Sequence, residues 1–210
     1  RHWIWGGYRF GDITGMIRSY APREGEGLIK FSPLINTYYY SPFHLTPSNM
    51  LSYYKHMKSK NINVIRGYPS SVKIFAEFIN NEKLYDLKIK LILCASEVLS
   101  ENDRNFIEGV FKAPISNHYG LAEQIVMFGD CEEHKGLHNY FEYGYVELID
   151  TSIPNVKKII GTNLHNKSMP LIRYDTEDLA LIGENLCTCG RKSVTIKNII
   201  GRKDQNILCP

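Results

Sequence analysis

Three short segments of the sequence place small or polar residues where an apolar run ends. They are "GYPSS" at 67–71, "ASE" at 95–97 and "NHYGLAE" at 117–123. In an open parallel sheet, ligands bind in the crevice beyond the carboxyl ends of the strands. If these apolar runs are parallel strands, the three segments meet at one edge and indicate a binding cleft.

The residue types in these segments suit a planar ligand and a cation. Gly67, Ala95 and Gly120 would let a flat ring approach the backbone, because none carries a side chain larger than a methyl group. Tyr119 could stack on that ring, and Glu123 could bind a cation. The alternative is that Tyr119 is a core aromatic residue and that Glu123 is a carboxylate in the first turn of a helix.

Two later motifs place charged residues within or next to β-type patterns. The segment "MPLIRYDTEDLA" contains Asp178, and "GRKDQ" contains Arg202 and Asp204. A carboxylate accepts hydrogen bonds only, so it can receive both donors of a ribose diol. Charged residues in β segments more often lie in solvated turns, and the spacing does not decide between these interpretations.

The cysteines and histidines form a second group with possible chemistry. "CEEHKGLH" contains Cys131, His134 and His138, and "CTCGR" contains Cys187 and Cys189. Three thiolates and one imidazole, from His134 or His138, make the closed tetrahedral set of a structural zinc site. Buried packing of ordinary cysteines is the alternative. The odd number of five cysteines and the close CxC pair favour a reducing compartment, and we therefore expect a cytoplasmic protein.

The elements that must position these residues change character along the chain. Up to about residue 140, apolar strands alternate with helices of about a dozen residues, as in "INVIRGY" followed by "PSSVKIFAEFINN". After it, short β-rich runs are separated by turn residues. The sequence therefore predicts an α/β fold with a doubly wound, mostly parallel sheet (residues 1–140) and an appended β-rich subdomain (residues 141–210).

Composition excludes several classes of function. The formal net charge is only +3 with dispersed Lys and Arg residues, which argues against a nucleic-acid partner. No apolar run approaches the roughly 20 residues that a membrane span requires. No GxGxxG motif follows a strand, which argues against a dinucleotide-dependent enzyme.

Four motifs in this order, "YGLAE", "MPLIRYDTEDLA", "CTCGR" and "GRKDQ", resemble the phenylacetate coenzyme A ligase and capsule-biosynthesis branch of the adenylate-forming enzymes. The resemblance covers nearly the whole chain. It implies that a small-molecule carboxylic acid is activated with ATP and Mg²⁺ to an acyl adenylate, with release of pyrophosphate. Transfer to coenzyme A or another acceptor would follow, possibly in polysaccharide biosynthesis.

The resemblance also implies roles for individual residues. Tyr119 would stack on adenine, Asp178 would bind the ribose hydroxyls, and three residues would be catalytic. Of these, Glu123 would coordinate Mg²⁺, Arg202 would contact ribose or phosphate, and Asp204 would be the hinge of a C-terminal domain. Further residues on the nucleotide side would be Ala95, Ser96, Glu97, Asn117 and Gly120. Family members with the CxCG pair share the His of "GLH", which favours His138 over His134 as the fourth metal ligand.

The sequence departs from the family pattern at three positions. Ala122 replaces a common Thr, Glu177 a common Gly, and Gln205 a common Asp. The Ser/Thr/Gly-rich phosphate loop and the C-terminal domain of the family are not found in these 210 residues, so we expect this chain alone to be inactive. The alternative is an inactive, zinc-stapled binding or scaffold module related to these ligases. The acid, the acceptor and the oligomeric state do not follow from the sequence.

Overall fold

The computed structural model describes residues 2–183 and 187–202, except for the side chain of His2. They form two compact units, the first from Trp3 to Ser116 and the second from Asn117 onward. The predicted division at residue 140 concerns functional parts and stays a prediction. The compact units divide earlier because strands after Asn117 pack in the core of the second unit.

The first unit is built on a five-stranded sheet. Its order is β5-β4-β1-β3-β2, in which β1 pairs parallel with β3 and β4, β4 pairs parallel with β5, and only β2 is antiparallel to its neighbour. The strands are β1 (Thr14–Ile17), β2 (Ile29–Ser32), β3 (Thr37–Tyr40), β4 (Val64–Gly67) and β5 (Leu91–Ala95).

Four helices belong to the same part of the chain: α1 (His2–Trp5), α2 (Pro47–Ser59), α3 (Pro69–Asn81) and α4 (Glu101–Phe111). Helix α2 begins where local chemistry favours it, since the Thr46 side chain accepts the Asn49 N–H and Pro47 occupies the first turn. Ser100 caps α4 in the same way, by accepting the Asp103 N–H. No helix in the part of the chain that the structure describes has the length and apolar character of a transmembrane span.

Alternation along the strands decides which side chains enter the main core of the first unit. Ile65 of β4 and Ile92 of β5 are fully buried together with Phe75 of α3 and Tyr53 of α2. Val64, Leu91 and Leu93 point to the opposite face of the sheet, against Trp3 and Tyr8. The sheet is therefore apolar on both faces, as the continuous run "IKLILCAS" predicts.

From Asn117 on, the regular elements in the described residues are β-strands, which form two antiparallel arrangements. The first has the order β12-β8-β7-β6 and consists of β6 (Ile115–Gly120), β7 (Met127–Asp130), β8 (Leu137–Asn139) and β12 (Thr195–Ile196). The second has the order β13-β11-β10-β9 and consists of β9 (Gly144–Asp150), β10 (Val156–Asn163), β11 (Tyr174–Leu181) and β13 (Asn198–Arg202). The predicted fold class, a mostly parallel α/β sheet with a β-rich addition, is confirmed.

One core joins the two sheets of the second unit. Ile125, Val126 and Phe128, at and before β7, are fully buried with Ile159 of β10 and Ile196 of β12. Gly144 lies against this core so closely that a Cβ atom there would be 1.8 Å from the Ile125 carbonyl oxygen. The approach of the two backbones therefore requires glycine at the start of β9.

Candidate functional site

The second unit brings together three residues that are far apart in the sequence, Tyr119, Asp178 and Arg202. The Tyr119 hydroxyl, at the end of β6, donates a 2.5 Å hydrogen bond to Asp178 Oδ2. Arg202 Nε lies 3.6 Å from Asp178 Oδ1, because the β11–β13 register pairs these two residues directly. We call these three residues the Asp178 cluster.

A β-bulge positions Asp178. Leu179 pairs with Lys158 of β10, but the next pair is Asp175 with Ile160, so three residues of β11 lie opposite a single one. Within this bulge, Thr176 Oγ1 donates to the Ile159 carbonyl (2.8 Å) and accepts the Asp178 N–H (3.1 Å). Bulges commonly redirect a side chain near functional sites, and here the bulge fixes the backbone of the buried Asp178.

The electrostatics of the cluster keep Tyr119 a hydrogen-bond donor. Burial, followed by the hydrogen bond to Asp178, raises the pKa of Tyr119 well above its usual range. Its ring packs against Phe128 at a centroid distance of 6.3 Å. Asp178 is only 6% exposed, whereas the Arg202 side chain is half exposed and can contact a ligand from solvent. The cluster thus offers an aromatic face, a carboxylate and a cation.

The segment after β6 differs from one expectation. The alternative that Glu123 lies in the first turn of a helix is wrong, because residues 122–125 form turns and bends that lead into β7. Glu123 is half-buried, and within the described ranges its carboxylate has no hydrogen bond or ion pair. A carboxylate in this state could bind a cation. Gly120 ends β6 and is exposed.

Asn117, at the start of the second unit, is held by a buried acid that sequence reasoning missed. Its N–H donates to Asp130 Oδ2 at 2.7 Å, and both residues are buried. The Asn117 side-chain oxygen is buried with no hydrogen-bond partner in the part of the chain that is described. Asp130 is the last residue of β7 and precedes Cys131, a predicted metal ligand. No signal in the sequence indicates that Asp130 is buried next to β6.

The remaining predicted nucleotide residues, Ala95, Ser96 and Glu97, belong to the first unit. Ala95 ends β5, and Ser96 Oγ accepts a 3.4 Å hydrogen bond from Arg18. Glu97 Oε2 accepts the Ser70 N–H at 3.0 Å, at the first turn of α3. That N–H is therefore already bound to an internal carboxylate. The predicted hinge residue Asp204 lies outside the described residues.

The predicted metal ligands also converge within the second unit. One ligand atom from each of Cys131, His138, Cys187 and Cys189 lies within 4.8 Å of every other. Cys131 Sγ is 3.5 Å from Cys187 Sγ, and Cys189 Sγ is 3.5 Å from His138 Nε2. A tetrahedral zinc ion with ligand distances of about 2.3 Å requires ligand separations of about 3.7 Å. The geometry of the four residues fits such an ion.

We call Cys131, His138, Cys187 and Cys189 the metal cluster. Neighbouring residues orient its side chains and tie its two sequence segments together. His138 Nδ1 faces Ser193 Oγ at 3.2 Å and Thr195 Oγ1 at 3.3 Å, which leaves Nε2 for the cluster. Arg191 bonds Glu132 at 2.6 Å, so the "CTCGR" segment is tied to the "CEEH" segment. His134 is not part of the cluster, and its Nδ1 is 3.9 Å from Asp130.

Burial shifts the pKa values of two members of this cluster, Cys131 and His138. It raises the pKa of the Cys131 thiol to about 12, and it lowers the pKa of His138, with a further contribution from the charge of Arg191. Neutral imidazole is the form that binds a metal, whereas a thiol must lose its proton to do so. A cation in the cluster would supply the charge that stabilises the thiolates.

Sequence comparison relates the chain to two curated proteins, although no family model matches it. It is 30% identical over 156 residues to phenylacetate-coenzyme A ligase of Thermus thermophilus, covering 69% of this chain and 35% of that protein. It is 26% identical over 178 residues to protein CapK of Staphylococcus aureus, covering 83% of this chain and 39% of that protein. The chain thus spans less than half the length of these relatives.

Structure comparison shows the same fold in solved ligases. One match is a crystal structure of 2-hydroxyisobutyryl-CoA ligase in the postadenylation state, in complex with R3-HIB-AMP. The matched region covers 97% of this chain and 46% of the ligase chain, with a TM-score of 0.74 and 19% sequence identity. A second match is the acyl-CoA synthetase of Brucella canis. It covers 94% of this chain and 39% of the synthetase chain, with a TM-score of 0.58 and 16% sequence identity.

Proposed function

This chain belongs to the adenylate-forming enzyme superfamily, and from that premise we propose that it supplies the nucleotide-binding core of an ATP-dependent carboxylic acid ligase. The observation that carries the proposal is the Asp178 cluster. A buried carboxylate, an aromatic ring and an arginine from three separate strands meet in one place, as recognition of a mononucleotide requires.

In the proposed site, Tyr119 would stack on the adenine ring and Asp178 would accept hydrogen bonds from the two ribose hydroxyls. A carboxylate offers about four lone-pair sites, so Asp178 can accept these donors beside the Tyr119 hydroxyl. The half-exposed Arg202 would contact ribose or phosphate. Asn117 and Gly120, in the same unit, would line the nucleotide side, while the roles of Ala95, Ser96 and Glu97 stay predictions from the family resemblance.

The chemical step would join two anions. An oxygen of the substrate carboxylate attacks the α-phosphorus of ATP, the bond to pyrophosphate breaks, and the acyl adenylate forms. Because both reactants are negatively charged, the site must supply positive charge and hold the partners in line. Arg202 supplies one charge, Mg²⁺ bound at Glu123 would supply another, and Asp204 would act as the hinge for the following step.

The names of the relatives support an acceptor and a biological setting for this reaction. Phenylacetate-coenzyme A ligase carries coenzyme A in its name, and a 2-hydroxyisobutyryl-CoA ligase structure holds an acyl-AMP and CoA together. We therefore propose coenzyme A as the acceptor of the activated acid. The similarity to CapK supports a role in polysaccharide biosynthesis as the setting, and reduced thiols in a metal site suit the cytoplasm.

Nucleotide binding tests the proposal directly. Calorimetric titration of AMP into the chain should show binding that Asp178→Asn weakens at least tenfold, because the amide no longer offers two carboxylate oxygens. The matched control is Asp150→Asn, on the exposed end of β9. Equal AMP affinity of the unsubstituted and Asp178→Asn chains would contradict the proposal. Absence of AMP binding would favour the inactive scaffold.

We also propose that the metal cluster holds one structural Zn²⁺. Chain purified without chelator should contain one zinc per molecule by elemental analysis. His138→Gln should lose it, because His138 Nε2 faces Cys189, while His134→Gln should keep it. Zinc content below a tenth of an equivalent in the unsubstituted chain, or equal loss in both variants, would contradict this assignment.

A further inference from the structure

The first unit contains a cavity that none of the proposed steps uses. Its volume is about 490 Å³, within the range of small-molecule sites. Most of its wall is aromatic or aliphatic, formed by Trp3, Tyr8, Phe10, Leu34, Ile35 and Leu93. Phe10 and Leu34 are almost fully exposed, so the cavity continues into an apolar surface.

Among the described residues that line this cavity, Arg66 alone is charged. Its guanidinium carbon lies 4.2 Å from the centroid of the Trp3 ring, a cation–π contact. Arg66 Nε is shielded from solvent and has no hydrogen-bond partner, and no ion pair to Arg66 is found within residues 2–183 and 187–202. Arg66 is half-buried, and a partly desolvated charge without a counterion is under-stabilised, so the site favours an anion.

The pKa of Arg66 also supports binding of an anion in this cavity. Burial, followed by the like charge of Arg18, lowers the pKa of Arg66 to about 10. Arg66 therefore stays protonated at neutral pH but lacks the stabilisation that an acidic partner would give. A bound anion would provide it.

The cavity is separate from the strand ends that carry the predicted nucleotide residues of the first unit. Thr14 and Thr37, the first residues of β1 and β3, line it. Ser96 and Glu97 instead follow the carboxyl end of β5, and they are not among the lining residues.

We propose that this cavity is a second binding site, for a carboxylate with an aromatic or aliphatic body. Its charge pairs with Arg66, and its hydrocarbon part packs on Tyr8, Leu34 and Leu93. A phosphate group is a poorer match, because one guanidinium in an apolar wall offers few donors for a dianion. The inference does not depend on the proposed nucleotide site.

The two tryptophans of the chain give a local readout. In ¹⁵N spectra, titration with octanoate or phenylacetate should shift the Trp3 indole resonance until it saturates. The Trp5 resonance should stay unchanged, because Trp5 does not line the cavity. Trp5→Phe assigns the two signals. The neutral analogues octanamide and phenylacetamide should bind at least tenfold more weakly.

Substitution of the cation completes the test. Arg66→Met keeps an unbranched apolar stem but removes the charge, and it should weaken octanoate binding at least tenfold while leaving octanamide binding and AMP binding unchanged. Arg23→Met, on the exposed surface, should alter neither. Equal affinity for octanoate and octanamide in the unsubstituted protein would overturn the proposal even if Arg66→Met failed to fold. Self-association through Phe10 with no effect of octanoate on Trp3 would overturn it too, since a second copy would then fill the cavity.

Discussion

At the scale of single residues, Asp178 depends on an unusual neighbour. Glu177 has a φ of 60°, in the left-handed region, although it lies within a strand. A side chain with a β-carbon costs about 1 to 2 kcal/mol there, whereas glycine does not. The glycine that is common at this position in the family suits this backbone, and Glu177 is strained within the bulge that holds Asp178.

We expect Glu177→Gly to raise the free energy of unfolding of the second unit by about 1 kcal/mol, against the usual cost of glycine in a strand. Glu177→Ala keeps the β-carbon and should bring no gain. Urea unfolding followed by far-UV circular dichroism measures both. A loss of stability in the glycine variant would show that Glu177 is held by contacts stronger than its backbone strain.

At the scale of elements, the packing of α2 against β3 depends on a histidine. His56 Nδ1 lies 2.8 Å from the Tyr40 hydroxyl, whose residue is fully buried. Burial, followed by the charge of Lys60, lowers the pKa of His56. The neutral imidazole accepts a hydrogen bond from the Tyr40 hydroxyl at Nδ1. Protonation of Nδ1 would remove that acceptor.

The first unit should therefore lose stability in mild acid. Since the pKa of His56 is lower in the folded than in the unfolded chain, its contribution is fully present above about pH 6.5. It is lost as the pH falls through the folded-state pKa, by on the order of 1 kcal/mol for one hydrogen bond. Tryptophan fluorescence during urea unfolding reports on the first unit, and His56→Gln should flatten the pH dependence between pH 7.5 and 5. His44→Gln, at an exposed position, should leave it intact.

Local chemistry explains which elements could be predicted from the sequence. The capping residues Thr46 and Ser100 act on their own next turn, so their signal is contained in a few neighbouring positions. The turn after Gly120 leads back into the antiparallel pairing of β6 with β7, and the bulge at Glu177 is a register shift of β11 against β10; periodicity shows neither the pairing nor the shift. Thr176, which holds the bulge, has no distinguishing signal among its charged neighbours, whereas the predicted metal ligands stand out because only a few residue types bind zinc.

At the scale of the whole molecule, the tryptophans and the metal cluster report on different units. Trp3 and Trp5 belong to the first unit, whereas Cys131, His138, Cys187 and Cys189 belong to the second. The metal cluster joins the β7–β8 region to the segment between β11 and β12, so an ion there would close a long stretch of chain.

If the proposed zinc ion is present, its removal with a strong chelator should increase hydrogen exchange in β8 and β12 at least tenfold, because β8 contains His138 and β12 pairs with it. Exchange in α3 and β5 of the first unit should change little. Cys94→Ala, a thiol in β5 that is remote from the cluster in sequence, serves as the control and should retain the ion. Equal protection with and without chelator would show that the second unit does not depend on a metal.

The 3.5 Å separation of Cys131 and Cys187 also has a consequence for handling of the protein. Thiols this close react with each other once either loses its proton and an oxidant is present. Stored in air without an ion, the molecule would become covalently cross-linked between these two positions, and the ligand set would be destroyed. A reductant in every buffer, rather than added metal alone, would therefore preserve the native second unit.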